Sequence, residues 1–61
     1  MHADPDHVTQ SVLVVDDNVD LAENVAEVLT SEGFESVAVS SPLRAIEEVG
    51  RRPFDFVVLD V

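Results

Sequence analysis

Ser11-Val-Leu-Val-Val-Asp-Asp-Asn18 is the stretch on which the fold turns. Its apolar residues, mostly β-branched, form an unbroken run that suits a strand buried on both faces, as in a parallel sheet. The run stops abruptly at Asp16, Asp17 and Asn18. Beyond it Leu21, Val25, Val28 and Leu29 recur at i, i+4, i+7 and i+8, while Asp20, Glu23 and Glu27 fall elsewhere, which predicts an amphipathic helix. Asn18 is placed to be its N-cap and Gly33 its C′ residue. Asp20 and Glu23 suit the positive end of the helix dipole.

Downstream, Phe34 to Val39 reads as a second strand, less hydrophobic and partly alternating, as expected nearer a sheet edge. Ser41-Pro42 opens a second helix with an N-cap serine and a proline at the first helical position. Leu43, Ala45, Ile46 and Val49 supply its apolar face, and Gly50 is expected to end it. Arg51 and Arg52 then stand at the negative end of that helix dipole, where their expected role is to neutralise the terminus. Pro53 interrupts the chain, and Phe56 to Val61 is a third strand as apolar as the first, with one charge, Asp60. Strand, helix, strand, helix, strand is the pattern of an open parallel sheet with helices on both faces, an α/β fold. Right-handed crossovers restrict its topology. With the first strand between the other two, the carboxyl ends of strands one and three meet at a topological switch point, where such sheets bind ligands.

Composition bounds the rest. Sixty-one residues permit one domain, and a chain of this size buries only about 60% of the surface its unfolded form exposes. There is no cysteine to supply a disulfide or a zinc site. Thirteen acidic residues against three arginines and no lysine give a net charge of -10, which repels nucleic acid and anionic lipid, so no nucleic-acid or membrane partner is expected for this segment. Residues 1–10 are polar, lack the basic and apolar regions of a signal peptide, and are expected to be a disordered tail; a cytoplasmic location is expected. His2 and His7, with Asp4 and Asp6 between them, belong to that tail and not to a metal site.

Three aspartates have a more specific use. Asp16 and Asp17 end the first strand and Asp60 ends the third, so this topology brings all three to one crevice. Adjacent strands lie about 4.8 Å apart, close enough for side chains at their ends to share one ion. Two ionised carboxylates about 5 Å apart at an effective dielectric near 20 repel by roughly 3 kcal/mol, so a proton or a divalent cation must offset them. Oxygen ligands with room for water favour Mg²⁺. A carboxylate can act as the nucleophile in phosphoryl transfer, and a bridging metal ion neutralises the developing charge. Asp60, alone at the end of its strand, is the candidate nucleophile. Asp17 is the candidate direct ligand, with Asp16 ligating directly or through water.

The run Val12 to Asn18, then Leu-Thr-Ser-Glu-Gly-Phe-Glu over 29–35, Ala45-Ile46, and Pro53-Phe-Asp-Phe-Val-Val-Leu-Asp-Val61 resemble the receiver domain of bacterial two-component response regulators. The resemblance spans residues 11–61 and implies the N-terminal half of a flavodoxin-like fold, with the strands present here in the order 2-1-3. It implies phosphorylation of Asp60, an acidic pair at Asp16 and Asp17, Mg²⁺ as cofactor held by Asp16, Asp17 and Asp60, and a sensor histidine kinase or phosphotransfer protein as partner. Such a module is a signalling phosphoacceptor and not an enzyme.

The family pattern continues with a fourth strand ending in Ser or Thr and a fifth ending in Lys, and neither occurs in these residues. Thr30 and Ser31 lie near a helix end and do not replace the hydroxyl. Residues 11–61 thus read as a truncated receiver domain, in which Asp60 is expected to be phosphorylated poorly or not at all. The third strand is expected to be an exposed apolar edge prone to self-association. The competing reading is a structural or interaction unit with the receiver shape and no phosphoryl transfer. A haloacid dehalogenase-type phosphatase needs aspartates two apart after the first strand, and residue 18 is Asn; a dinucleotide site needs glycine in the first turn, and none is there.

Overall fold

The computed structural model describes residues 9–59. Five elements follow in the order β1 (Ser11–Val15), α1 (Val19–Ser31), β2 (Glu35–Val39), α2 (Pro42–Arg51) and β3 (Phe56–Leu59). The strands form one parallel sheet in the order β2-β1-β3. β1 is therefore central, and its unbroken apolar run is explained: Val12, Leu13, Val14 and Val15 are all buried, Leu13 completely.

Successive side chains alternate between the faces of a strand. Val12 and Val14 share one face with Ala22 of α1, and Val25, Ala26, Leu29, Phe34 and Ala38 pack around them. Leu13 and Val15 turn by the same alternation to the opposite face. α1 lies mainly on β2 and also against β1, whereas α2 makes a lighter contact with these two strands. Neither helix is in backbone contact with β3.

Local signals explain the helix ends. Asn18 caps α1, its side-chain oxygen accepting from the Leu21 N–H at 3.1 Å. Gly33 takes φ +99, a conformation L side chains rarely adopt, and follows the C-cap residue Glu32. Ser41 caps α2 by accepting from the Arg44 N–H at 3.2 Å, with Pro42 as the first helical residue.

Several expectations need correction. The buried stripe of α1 is centred on Ala22, Val25, Ala26 and Leu29, while Leu21 and Val28 are largely exposed. Those two lie about 100° round the helix from the stripe's centre, and the small side chains of Ala22 and Ala26 let the helix approach the sheet along that other line. Gly50 does not end α2, which runs on to Arg51 and is capped by Arg52, whose N–H donates to the Glu48 carbonyl at 3.2 Å. With no partner side chain opposing it, the glycine costs helix propensity without breaking the helix. Phe34 belongs to the exit from α1, its N–H donating to the Leu29 carbonyl at 3.0 Å, and β2 starts one residue later. The apolar residues Leu43, Ile46 and Val49 of α2 are each more than half exposed, because α2 rests only lightly on the sheet.

Arg51 and Arg52 do stand at the end of α2, and their charge goes to carboxylates. Arg51 meets Glu48 at 3.2 Å, and Arg52 reaches Glu35 at the start of β2 at 2.8 Å. The Arg52 guanidinium also lies over the Phe54 ring, 5.3 Å from its centre. No helix among the described residues is long and apolar enough to cross a membrane.

Candidate functional site

The site is built where β1 ends. Asp16 extends the sheet ladder by one bond, its N–H donating to the Val39 carbonyl at 3.2 Å. This holds the residue in the sheet and leaves it only 5% exposed. Its Oδ1 accepts from the backbone N–H of Asn18 at 2.9 Å, which folds the Asp16-Asp17-Asn18 turn back on itself. Asn18 then passes the constraint to α1, since its side chain caps the helix and its carbonyl accepts from the Ala22 N–H at 3.0 Å. Asp17 sits on the bend between them and is exposed.

A buried carboxylate needs compensation. One backbone N–H supplies part of it. Among the described residues no ion pair reaches Asp16 or Asp17, because Arg51 and Arg52 are engaged with Glu35 and Glu48 at the far end of α2. Arg44 lines an open hollow of about 300 Å³ on the β2 side of the sheet with Glu23, Val39 and Ser40, a set that includes neither aspartate. Nothing among the described residues therefore supplies a cation to this carboxylate.

The register of the sheet carries the site toward β3. Val15 stands opposite Val39 on one side and Leu59 on the other. The residue after Val15 is Asp16, and the residue after Leu59 is Asp60, which lies outside the described residues along with His2 and His7. Among the described residues no group of three or more acidic, histidine or cysteine side chains is gathered closely enough to hold a metal ion. The structure thus brings Asp16 and Asp17 together at one strand end. In kind, an oxygen-only donor set with a buried carboxylate that no described cation offsets fits a hard divalent ion such as Mg²⁺.

Two features of the β1–β3 pair and its turn escape a reading of motifs. One is the use of the Asn18 main chain to hold Asp16; the spacing Asp-x-Asn, which favours such a turn, was its only signal. The other is Asp55. Its Oδ2 accepts from the Ser11 N–H at 2.8 Å and its own N–H donates to the Ser11 carbonyl at 3.0 Å, tying the start of β3 to the start of β1.

The response regulator receiver domain family model matches residues 12–61. The chain belongs to this family. It is 38% identical over 56 residues to the DNA-binding response regulator MtrA of Mycobacterium tuberculosis, covering 92% of this chain and 25% of that protein. It is 41% identical over 51 residues to the sensory transduction protein RegX3 of the same organism, covering 84% of this chain and 22% of the relative. The receiver segment thus spans about a quarter of the length of these relatives. No solved structure matches it. Its three parallel strands in the order 2-1-3 with two helices are consistent with part of the flavodoxin-like receiver fold. A receiver domain is a signalling module rather than an enzyme in the ordinary sense.

Proposed function

We propose that this chain is the phosphoacceptor half-site of a two-component system, receiving a phosphoryl group on Asp60 from a phosphohistidine of a sensor kinase or phosphotransfer protein. The observation that carries the reading is the pairing of Val15 with Leu59, which ends two neighbouring parallel strands level with each other, one followed by a buried aspartate and the other by Asp60.

In the transfer, a carboxylate oxygen of Asp60 forms a bond to phosphorus as the phosphorus–nitrogen bond of the donor breaks, and the electron pair of that bond returns to the imidazole. Asp17, exposed on the turn, and Asp16 beside it would hold Mg²⁺ together with Asp60. When bound, the ion neutralises the charge that accumulates on the phosphoryl oxygens. The chain's own contribution is positional. The Asn18 N–H holds one oxygen of Asp16, the ladder bond to Val39 holds its backbone, and the apolar walls of β1 keep that carboxylate out of bulk water. Residues 11–61 form the receiver unit, preceded by a tail. The name of MtrA records DNA binding, and a receiver of this kind would pass its phosphorylation state to such an output region; this segment, with a net charge of -10, would not itself meet DNA.

The test has two arms. Calorimetric titration with Mn²⁺, a stand-in for Mg²⁺, is expected to show binding that Asp60→Asn and Asp17→Asn each weaken by about tenfold, as for the loss of one charged ligand. Incubation with a small phosphodonor and Mg²⁺ is expected to give a slowly formed phosphate adduct in the intact mass, absent in Asp60→Asn. An adduct that survives Asp60→Asn would assign the phosphoryl group elsewhere. No adduct and no metal binding would favour the structural or interaction unit.

A further inference from the structure

β3 has an unusual problem of register. Its four residues, Phe56, Val57, Val58 and Leu59, are all apolar and all face a neighbour, β1, that is equally apolar. Sliding β3 by one residue would put Val57 where Phe56 stands against Val12, and the apolar contact would survive. Main-chain ladder bonds of parallel strands are equally indifferent to such a slip. Strands of uniform character specify register weakly, and neither helix is in backbone contact with β3. Yet a slip of one residue would move the strand end by about 3.3 Å and turn the following side chain to the other face.

The polar contacts at the amino end of the strand resolve this. Residue 55 takes both main-chain groups of Ser11: the Asp55 carboxylate accepts from the Ser11 N–H at 2.8 Å, and the Asp55 N–H donates to the Ser11 carbonyl at 3.0 Å. The Ser11 hydroxyl lies within 3.4 Å of the same carboxylate oxygen and donates to the Pro53 carbonyl at 3.3 Å. The residues on either side of Asp55 are Phe54 and Phe56, which carry no acceptor, so only one register satisfies the Ser11 N–H in this way. We infer that Asp55 is a positioning residue for the site at the other end of the strand: by gripping Ser11 it sets β3 on β1 so that Leu59 stands opposite Val15, which makes Asp60 the next residue in sequence on that strand as Asp16 is on β1. This rests on the reading of Asp60 given above.

The test uses the whole chain and two read-outs. Cross-strand NOEs between Val15 and Leu59 report the β1–β3 register without metal, with those between Val15 and Val39 as the internal control. Mn²⁺ affinity reports the site. Asp55→Ala is expected to lose the Val15–Leu59 NOEs, keep those to Val39, and bind Mn²⁺ about tenfold more weakly, the scale of one charge-assisted hydrogen bond. Asp55→Asn, which keeps an acceptor in the same place while removing the charge, is expected to restore both read-outs to within about twofold of the parent. Ser41→Ala, which removes the α2 cap, is expected to lower the melting temperature with both read-outs unchanged. Should Asp55→Ala leave no folded chain, Ser11→Pro removes the same donor from the other side, at a strand start where proline is tolerated, and is expected to act likewise. Parent-like NOEs and affinity in Asp55→Ala or Ser11→Pro, or failure of Asp55→Asn to rescue, would overturn the inference. Equal Mn²⁺ binding by the parent and Asp60→Asn would instead sink the reading of Asp60, and the NOEs would still decide what Asp55 does.

Discussion

β1 and β3 are close in composition and opposite in fate. Each is a short unbroken apolar run, and they are direct neighbours in the sheet. Val12 to Val15 are buried, whereas every residue of β3 is between 44% and 66% exposed. Hydrophobicity qualifies both strands for a core. Position admits only one: β1 has a strand on each side and helices over its faces, while β3 has a strand on one side and no helix in backbone contact. An apolar run states a demand for cover, and the cover must come from elsewhere in the chain or from another surface.

The sharpest way to break this comparison is to shorten partners across the β1–β3 ladder. Leu13 stands opposite Val57. Leu13→Ala is expected to cost about 3 kcal/mol, a large share of the stability a chain of this size can have, whereas Val57→Ala is expected to cost under about 1 kcal/mol. Urea titration followed by far-UV circular dichroism checks both, and equal losses would mean that β3 is covered in solution. A smaller effect separates the helices that give β1 its cover. Asn18→Ala is expected to cost about 1 kcal/mol through loss of the α1 cap, and the same titration should show Ser41→Ala to cost no more, since α2 rests more lightly on the sheet. The smallest effect on stability, within about 0.5 kcal/mol, is expected from Val58→Thr on the exposed strand. Its consequence is for association instead. Sedimentation at raised ionic strength, where repulsion between chains of net charge -10 is screened, is expected to show self-association in the parent and less of it in Val58→Thr.

The site shows a similar contrast between its two strand ends. At the end of β1, the capping role of Asn18 could be read from the residues, because an Asn just before an amphipathic run has few other uses. That the same residue's N–H would hold Asp16 depends on the path of the turn, which residue type alone leaves open. At β3, Asp60 was noticeable as the one charge in an apolar run. Asp55, five residues earlier, was not, since an aspartate two residues beyond a proline is ordinary loop chemistry until Ser11 is seen opposite it.

The amino-acid sequence by itself determined the alternation of strands and helices, the capping residues Asn18 and Ser41, the left-handed turn at Gly33 and the membership of the receiver family. These depend on local backbone preference and on periodicity, which neighbouring residues supply on their own. Tertiary structure alone decided that Ala22 and not Leu21 faces the sheet, that α2 continues through Gly50, that the apolar residues of α2 stay exposed, and that Asp55 grips Ser11. Each of these is a choice among locally equivalent options, and contacts between segments distant in the chain make it.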